Sequence, residues 1–207
     1  MKDTRFSKLV IFTNALVPLA LLLWDAYHKR LGANPPEFMT RTTGMLTLIF
    51  LITTLAVTPV RKITGLNWLT KFRRMLGLFA FFYGFLHLLT YIWFDRYFNL
   101  RSIPGDVVTR PFIALGMFAF FLMAPMAITS TNKMIKRLGG KRWNLLHKLI
   151  YPAGAAACLH FYLFVKSDTR LPLTFAFILL LLIGHRLFVK FYPPQTEELN
   201  RSVFPRR

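Results

Sequence analysis

His28, His87, His147, His160 and His185 are the groups in this sequence most able to do chemistry. A neutral imidazole ligates a metal through one ring nitrogen while the other takes a hydrogen bond. Four of the five fall inside or at the edge of long apolar runs, where an ionisable group is costly and marks a functional position by default. Counted from the basic ends of their runs, His87 lies about 18 Å and His160 about 20 Å along a helix axis. Two imidazoles at one depth, on two parallel helices, meet the needs of a bis-histidine haem, in which each face of the iron takes one nitrogen. Gly77, Ala80 and Gly84 near His87, and Ala153, Ala156 and Ala157 near His160, form small-residue stripes that would admit a flat ring. The competing use of such stripes is direct helix packing.

The remaining polar groups are weaker candidates. On a straight helix His147 points about 140° away from the face of His160, so the two share a slot only if Pro152 bends the segment between them. His147 is therefore either an interfacial residue or a ligand of a second, inner haem. His185 has the depth to join that inner haem but, between Gly184 and Arg186, reads first as an interfacial residue; His28 reads as interfacial, and Cys158 as a small packing residue. Arg73 and Arg74 open the third apolar run, as membrane anchors or as partners of haem propionates or a flavin phosphate. Asp95, Arg96, Arg101 and Asp106 are available on the opposite side for docking a partner. No Walker loop, Rossmann glycine fingerprint, CxxCH or HExxH is present.

What must position these histidines is a membrane bundle. The chain has 207 residues, 55% of them hydrophobic and 17% charged, with 22 Phe; that leaves too little polar surface to coat a soluble core. Six runs are long enough to cross about 30 Å of hydrocarbon, at approximately 9–27, 43–60, 75–94, 112–130, 147–166 and 171–191. The first lacks a cleavage pattern at Trp24-Asp25-Ala26-Tyr27-His28 and reads as a retained anchor. With both termini on one side, that side collects 19 Lys/Arg against 8, and a net charge of +16 against +3. By the positive-inside rule the richer side is cytoplasmic. The +19 net charge is then mostly orientation, and a nucleic-acid partner is not implied. Trp24, Trp68, Trp93 and Trp143 fall near span ends, as interfacial rings should. One Cys excludes an internal disulfide, and no internal repeat of the transporter kind is evident. The expectation is a single all-α domain over 1–207, with a tail after 191 too short for a further one.

Two blocks carry a resemblance. Arg73-Arg74-Met75-Leu76-Gly77-Leu78 leading to Tyr83 and His87, and Leu138 to Tyr151 with its Trp143, His147 and Leu149 leading to His160, look like the ferric-reductase-like transmembrane domain. Within that superfamily the full length is similar to the haem-binding membrane subunits of bacterial protein-methionine-sulfoxide reductase systems. The resemblance implies haem b on His87, His160 and His147, an associated FMN, and residence in the bacterial inner membrane. It implies electrons drawn from the quinone pool or a soluble flavin reductase and passed to a periplasmic molybdopterin-containing catalytic subunit, which reduces methionine sulfoxide. The larger superfamily usually has a histidine pair on the third span and a flavin and NADPH domain after the sixth; here the third span offers only His87. The resulting expectation is an electron conduit with no catalytic residue of its own. A small multi-pass transporter or a cofactor-free membrane scaffold is the alternative.

Overall fold

The computed structural model describes residues 4–192. The charges counted above at Lys2, Asp3, Glu197, Glu198, Arg201, Arg206 and Arg207 lie outside the described residues. The described part is all-helical, with no strand.

Helix α1 (Thr4–Tyr27) is apolar along its length. Helix α2 (Pro35–Thr64) is started and stopped by local chemistry. The Asn34 side chain accepts from the Glu37 N–H at 3.3 Å and donates to the Glu37 carboxylate at 2.9 Å, a reciprocal cap ahead of two prolines that need no N–H partner. At its end Gly65, at φ 71°, donates to the Arg61 carbonyl in the left-handed C-terminal stop. Helix α3 (Arg73–Thr90) runs into a π-helical turn, Tyr91–Asp95. The short α4 (Ile103–Thr109) is separated by one extended residue, Arg110, from α5 (Pro111–Ile128). Helix α6 (Asn132–Leu146) is broken at Gly139, whose φ of 73° and ψ of 153° suit only glycine. A 3-10 turn, His147–Leu149, leads into α7 (Ile150–Phe164), and α8 (Arg170–Phe191) closes the bundle.

Helix α2 is the hub. Its Leu48, Leu51 and Leu55 share one buried cluster with Ala80 of α3, Met123 and Met126 of α5, Ala153 and Cys158 of α7 and Leu179 of α8. Two helix pairs make the most extensive contacts, α2 with α3 and α5 with α7. Helix α1 leans on α3 through Ala15, Phe79 and Tyr83, and the buried Tyr83 hydroxyl donates to the Ala15 carbonyl at 2.6 Å. Pro59 denies the Leu55 carbonyl its helical partner. Arg186 of α8 replaces it, donating to that carbonyl at 2.6 Å and to the Tyr151 hydroxyl at 2.6 Å.

Phe118, Phe121, Phe177, Leu180 and Leu181 stand exposed in mid-helix, a surface suited to lipid and unsuited to water. Five of the described helical stretches are long and apolar enough to cross a membrane: Thr4–Tyr27, Pro35–Thr64, Arg73–Asp95, Pro111–Ile128 and Arg170–Phe191. The run expected at 147–166 differs. Its α-helix has 15 residues, about 22 Å of rise, and the 3-10 turn adds about 6 Å. Between the runs expected at 112–130 and 147–166 lies the broken helix α6.

Candidate metal centre

His87 on α3 and His160 on α7 meet inside the bundle with ring centroids 5.9 Å apart and ring planes at 79°. Each ring is held through Nδ1 by a backbone carbonyl of a neighbouring helix: His87 by Thr40 of α2 at 2.9 Å, His160 by Phe112 of α5 at 2.6 Å. The access is made by glycine. A helical Cβ leans toward the N-terminus, over the carbonyl four residues earlier. Gly44 follows Thr40 by four residues and Gly116 follows Phe112 by four. A Cβ at Gly44 would sit 3.0 Å from His87 Nδ1, and one at Gly116 2.9 Å from His160 Nδ1. The missing side chains open both carbonyls to the imidazoles.

This arrangement suits a metal between the rings. An Nδ1–H given to a carbonyl fixes the tautomer and leaves Nε2 as the lone-pair nitrogen, and neither Nε2 has a hydrogen-bond partner among the described residues. Two metal–nitrogen bonds of about 2 Å, with about 1.1 Å from nitrogen to ring centre at each end, put the centroids about 6 Å apart. The observed pair matches that spacing. Among the described residues no group of three or more His, Cys, Asp or Glu gathers as a metal cage; His87 and His160 would offer a metal one imidazole each.

The small-residue stripes do a different job from the one expected of them. Cβ atoms at Gly77 and Gly84 would meet Thr54 and Thr47 of α2 at 3.6 and 3.4 Å, and Gly84 also faces Met123 of α5. Ala80 and Ala153 are fully enclosed in the core. These residues let helices approach closely, while the space at the imidazoles is set by Gly44 and Gly116. Sequence reading missed those two. The available signal was a glycine inside an apolar span, unfavourable by about 1 kcal/mol relative to alanine and therefore in need of a reason.

The other expected site residues gather elsewhere. Arg73, Arg74 and His147 line a second cavity, of about 220 Å³, with Phe81, Ser130 and Trp143. His147 Nδ1 bonds the Trp143 carbonyl at 3.0 Å, its ring stacks on the indole at 3.8 Å, and the Ser130 hydroxyl stands 3.4 Å from Nε2. Trp143, expected as an interfacial ring, is thus a cavity wall, with its Nε1 donating to the Thr129 carbonyl at 3.0 Å. Arg74 donates to Asn132 at 2.6 Å. His185 does not line this cavity, so the described residues bring no second imidazole to His147. His28 packs against Trp24 just past the end of α1, with ring centroids 4.2 Å apart and its Nδ1 on the Trp24 carbonyl at 2.9 Å. Asp106, expected to be free for docking, is buried and bonded to Tyr91 and Arg96.

Comparison with known proteins bears on this geometry. Residues 42–170, which hold both imidazoles and the second cavity's His147, match the family described as ferric reductase like transmembrane component. The chain is 49% identical to the protein-methionine-sulfoxide reductase heme-binding subunit MsrQ of Herminiimonas arsenicoxydans over 87% of this chain and 84% of that one. It is 45% identical to the subunit of the same name from Ralstonia nicotianae, over 90% and 87%, and 47% identical to that of Rhodospirillum rubrum, over 90% of each.

Proposed function

The chain belongs to the ferric reductase like transmembrane component family, and on that premise we propose that it is a haem b electron conduit serving a protein-methionine-sulfoxide reductase. The observation that carries the reading is the pair of imidazoles 5.9 Å apart, each with its Nδ1 proton held by a backbone carbonyl. His87 and His160 would hold the haem iron in this proposal. When bound, the haem supplies one-electron chemistry, which no side chain here performs. The chain's own residues fix the two nitrogens and exclude water from the iron with the surrounding apolar helices. Gly44 and Gly116 admit the rings to their carbonyls, and Thr40 and Phe112 raise the basicity of the ligating nitrogens.

The cavity of Arg73, Arg74 and His147 is the entry point for electrons. Its aromatic wall and cationic rim suit a flat ring carrying acidic groups, an FMN or a second haem ligated by His147, or a quinone head group. The donor is the quinone pool or a soluble flavin reductase. The acceptor is a periplasmic molybdopterin-containing catalytic subunit docked at the end that bears Asp95 and Arg101. Six spans of one domain cross the bacterial inner membrane with both termini in the cytoplasm, as the balance of Lys and Arg supports. Methionine sulfoxide in oxidised proteins is the end substrate of the system.

The test is the absorption spectrum of the detergent-purified chain after growth with ample haem. A reduced-minus-oxidised b-type signal is expected, absent from His87→Ala and from His160→Ala. A colourless native protein, or a signal that survives both substitutions, overturns the proposal.

A further inference from the structure

Asp106 on α4 is a buried carboxylate whose side chain is 9% exposed, a setting in which a charge must be paired. Its partners converge from two directions. From the end of α3, the Tyr91 hydroxyl donates to Oδ2, Arg96 Nη2 donates to Oδ1 at 2.6 Å, and Arg96 Nε pairs with Oδ2. From the start of α5, Arg110 Nε stands 3.8 Å from Oδ1, while the Arg110 N–H donates to the Asp106 carbonyl at 2.8 Å. Asp95 closes the outside, 3.5 Å from Arg96 and 3.4 Å from Arg110.

These partners share their nearness along the chain to the imidazole pair. Tyr91 follows His87 by one helical turn and lies on the same face. It opens the π-helical turn Tyr91–Asp95, a feature that re-aims the side chains after it and concentrates at functional sites. Arg110 is the N-cap of α5, and two residues later Phe112 provides the carbonyl that holds His160. One carboxylate therefore fastens the helix that bears His87 to the helix that supports His160. A packing ion pair would need one partner; this one takes hydrogen bonds from the end of the helix that bears His87 and an ion pair from the start of the helix that supports His160.

We propose that Asp106, with Tyr91, Arg96 and Arg110, is a positioning clamp for the axial imidazole pair, fixing the angle between the two rings and with it the electronic character of the iron they hold. The clamp touches neither ring. It acts on His87 through the turn ending at Tyr91, and on His160 through Arg110 and the Phe112 carbonyl. The proposal rests on His87 and His160 as haem ligands.

The test uses the haem-loaded, detergent-purified full chain and compares Asp106→Asn, Asp106→Glu, Tyr91→Phe and Arg110→Gln with the native protein. Three properties are read: the low-spin electron paramagnetic resonance of the ferric haem, its reduction midpoint and the thermal melt. Asp106→Asn is expected to keep its haem but lose it about 10-fold more readily, the scale of an outer-shell defect, with the resonance and midpoint both displaced. Tyr91→Phe displaces them in the same direction by less, and Asp106→Glu recovers part of the loss. If Asp106→Asn melts earlier with resonance and midpoint unchanged, the cluster is a structural ion pair and the clamp is overturned while the haem proposal stands. Should Asp106→Asn fail to fold, Tyr91→Phe and Arg110→Gln each remove one arm, and unchanged spectra in both overturn the clamp. A native chain that takes up no haem overturns both proposals.

Discussion

An imidazole that serves a metal needs one nitrogen bare and the other committed; His28 and His147 bond the carbonyl four residues back in their own stretch, whereas His87 and His160 commit Nδ1 to a carbonyl of another helix. Both spend Nδ1 on a carbonyl that a glycine has uncovered. Replacing Gly116 by Ala puts a methyl 2.9 Å from His160 Nδ1, closer than real contacts allow, and the ring must leave the Phe112 carbonyl. Gly44→Ala crowds His87 less severely, with a methyl 3.0 Å from Nδ1 that the ring must yield to by a few tenths of an ångström. Each is expected to lower haem affinity by about 10-fold while costing about 1–3 kcal/mol of stability from overpacking; haem quantified per protein, alongside a melt, checks both. An unchanged haem content in both variants would show that the carbonyl contacts are incidental. The two histidines were legible in the sequence because depth along a helix follows from counting. Their glycines were not, since Gly44 and Gly116 matter only through which foreign helix faces them, and one sequence does not state its neighbours. Asp106 was misplaced for the same reason: a carboxylate in a connection reads as exposed until α4 is seen to tuck it between Tyr91 and Arg96.

Helices must satisfy what their prolines leave open, and α2 does so across the bundle. Pro59 frees the buried Leu55 carbonyl, and Arg186 of α8 supplies the donor at 2.6 Å. Arg186→Met is expected to cost about 1–3 kcal/mol, the penalty of an unsatisfied buried acceptor. Pro59→Ala restores the helical N–H, so it should stabilise the Arg186→Met background more than the native one, with a coupling of about 0.5–3 kcal/mol in a double-mutant cycle of thermal melts. Simple additivity would mean that Arg186 acts only through Tyr151. At this scale the sequence was most informative where hydropathy alone decides: α1, α2, α3, α5 and α8 lie on the expected runs. It was least informative where tertiary context overrides composition. Helix α6 carries Lys133, Lys136, Arg137, Lys141 and Arg142 with a glycine break, a pattern that reads as a connection. The run expected as the fifth span folds as a 3-10 turn and a 15-residue helix that ends at the extended Val165, a division that hydropathy alone does not mark.

The same construction occurs twice in the molecule, although the sequence shows no repeat. In the pair α2 and α3, a carbonyl and a glycine four residues later support a histidine; in the pair α5 and α7 they do so again. His87 lies 43 positions after Gly44, and His160 44 positions after Gly116. The repeat escapes sequence comparison because the shared features are a backbone carbonyl, an absent side chain and one imidazole, with nothing else held in common. A ligand gripped by both histidines would join two helix pairs that otherwise meet where α3 touches α5 and α2 touches α7. Binding to the folded state alone then adds about 2.7 kcal/mol when the ligand stands at 100 times its dissociation constant, and the increment needs both imidazoles. The haem-depleted chain is accordingly expected to melt higher on adding haem. His87→Ala and His160→Ala should each abolish that rise completely, and the double variant should do no worse than either single one. His147→Ala, which alters only the second cavity, should retain it. A rise that halves in each single variant would mean two independent sites, and a rise lost in His147→Ala but kept in His87→Ala would move the haem to the cavity lined by Arg73 and Trp143.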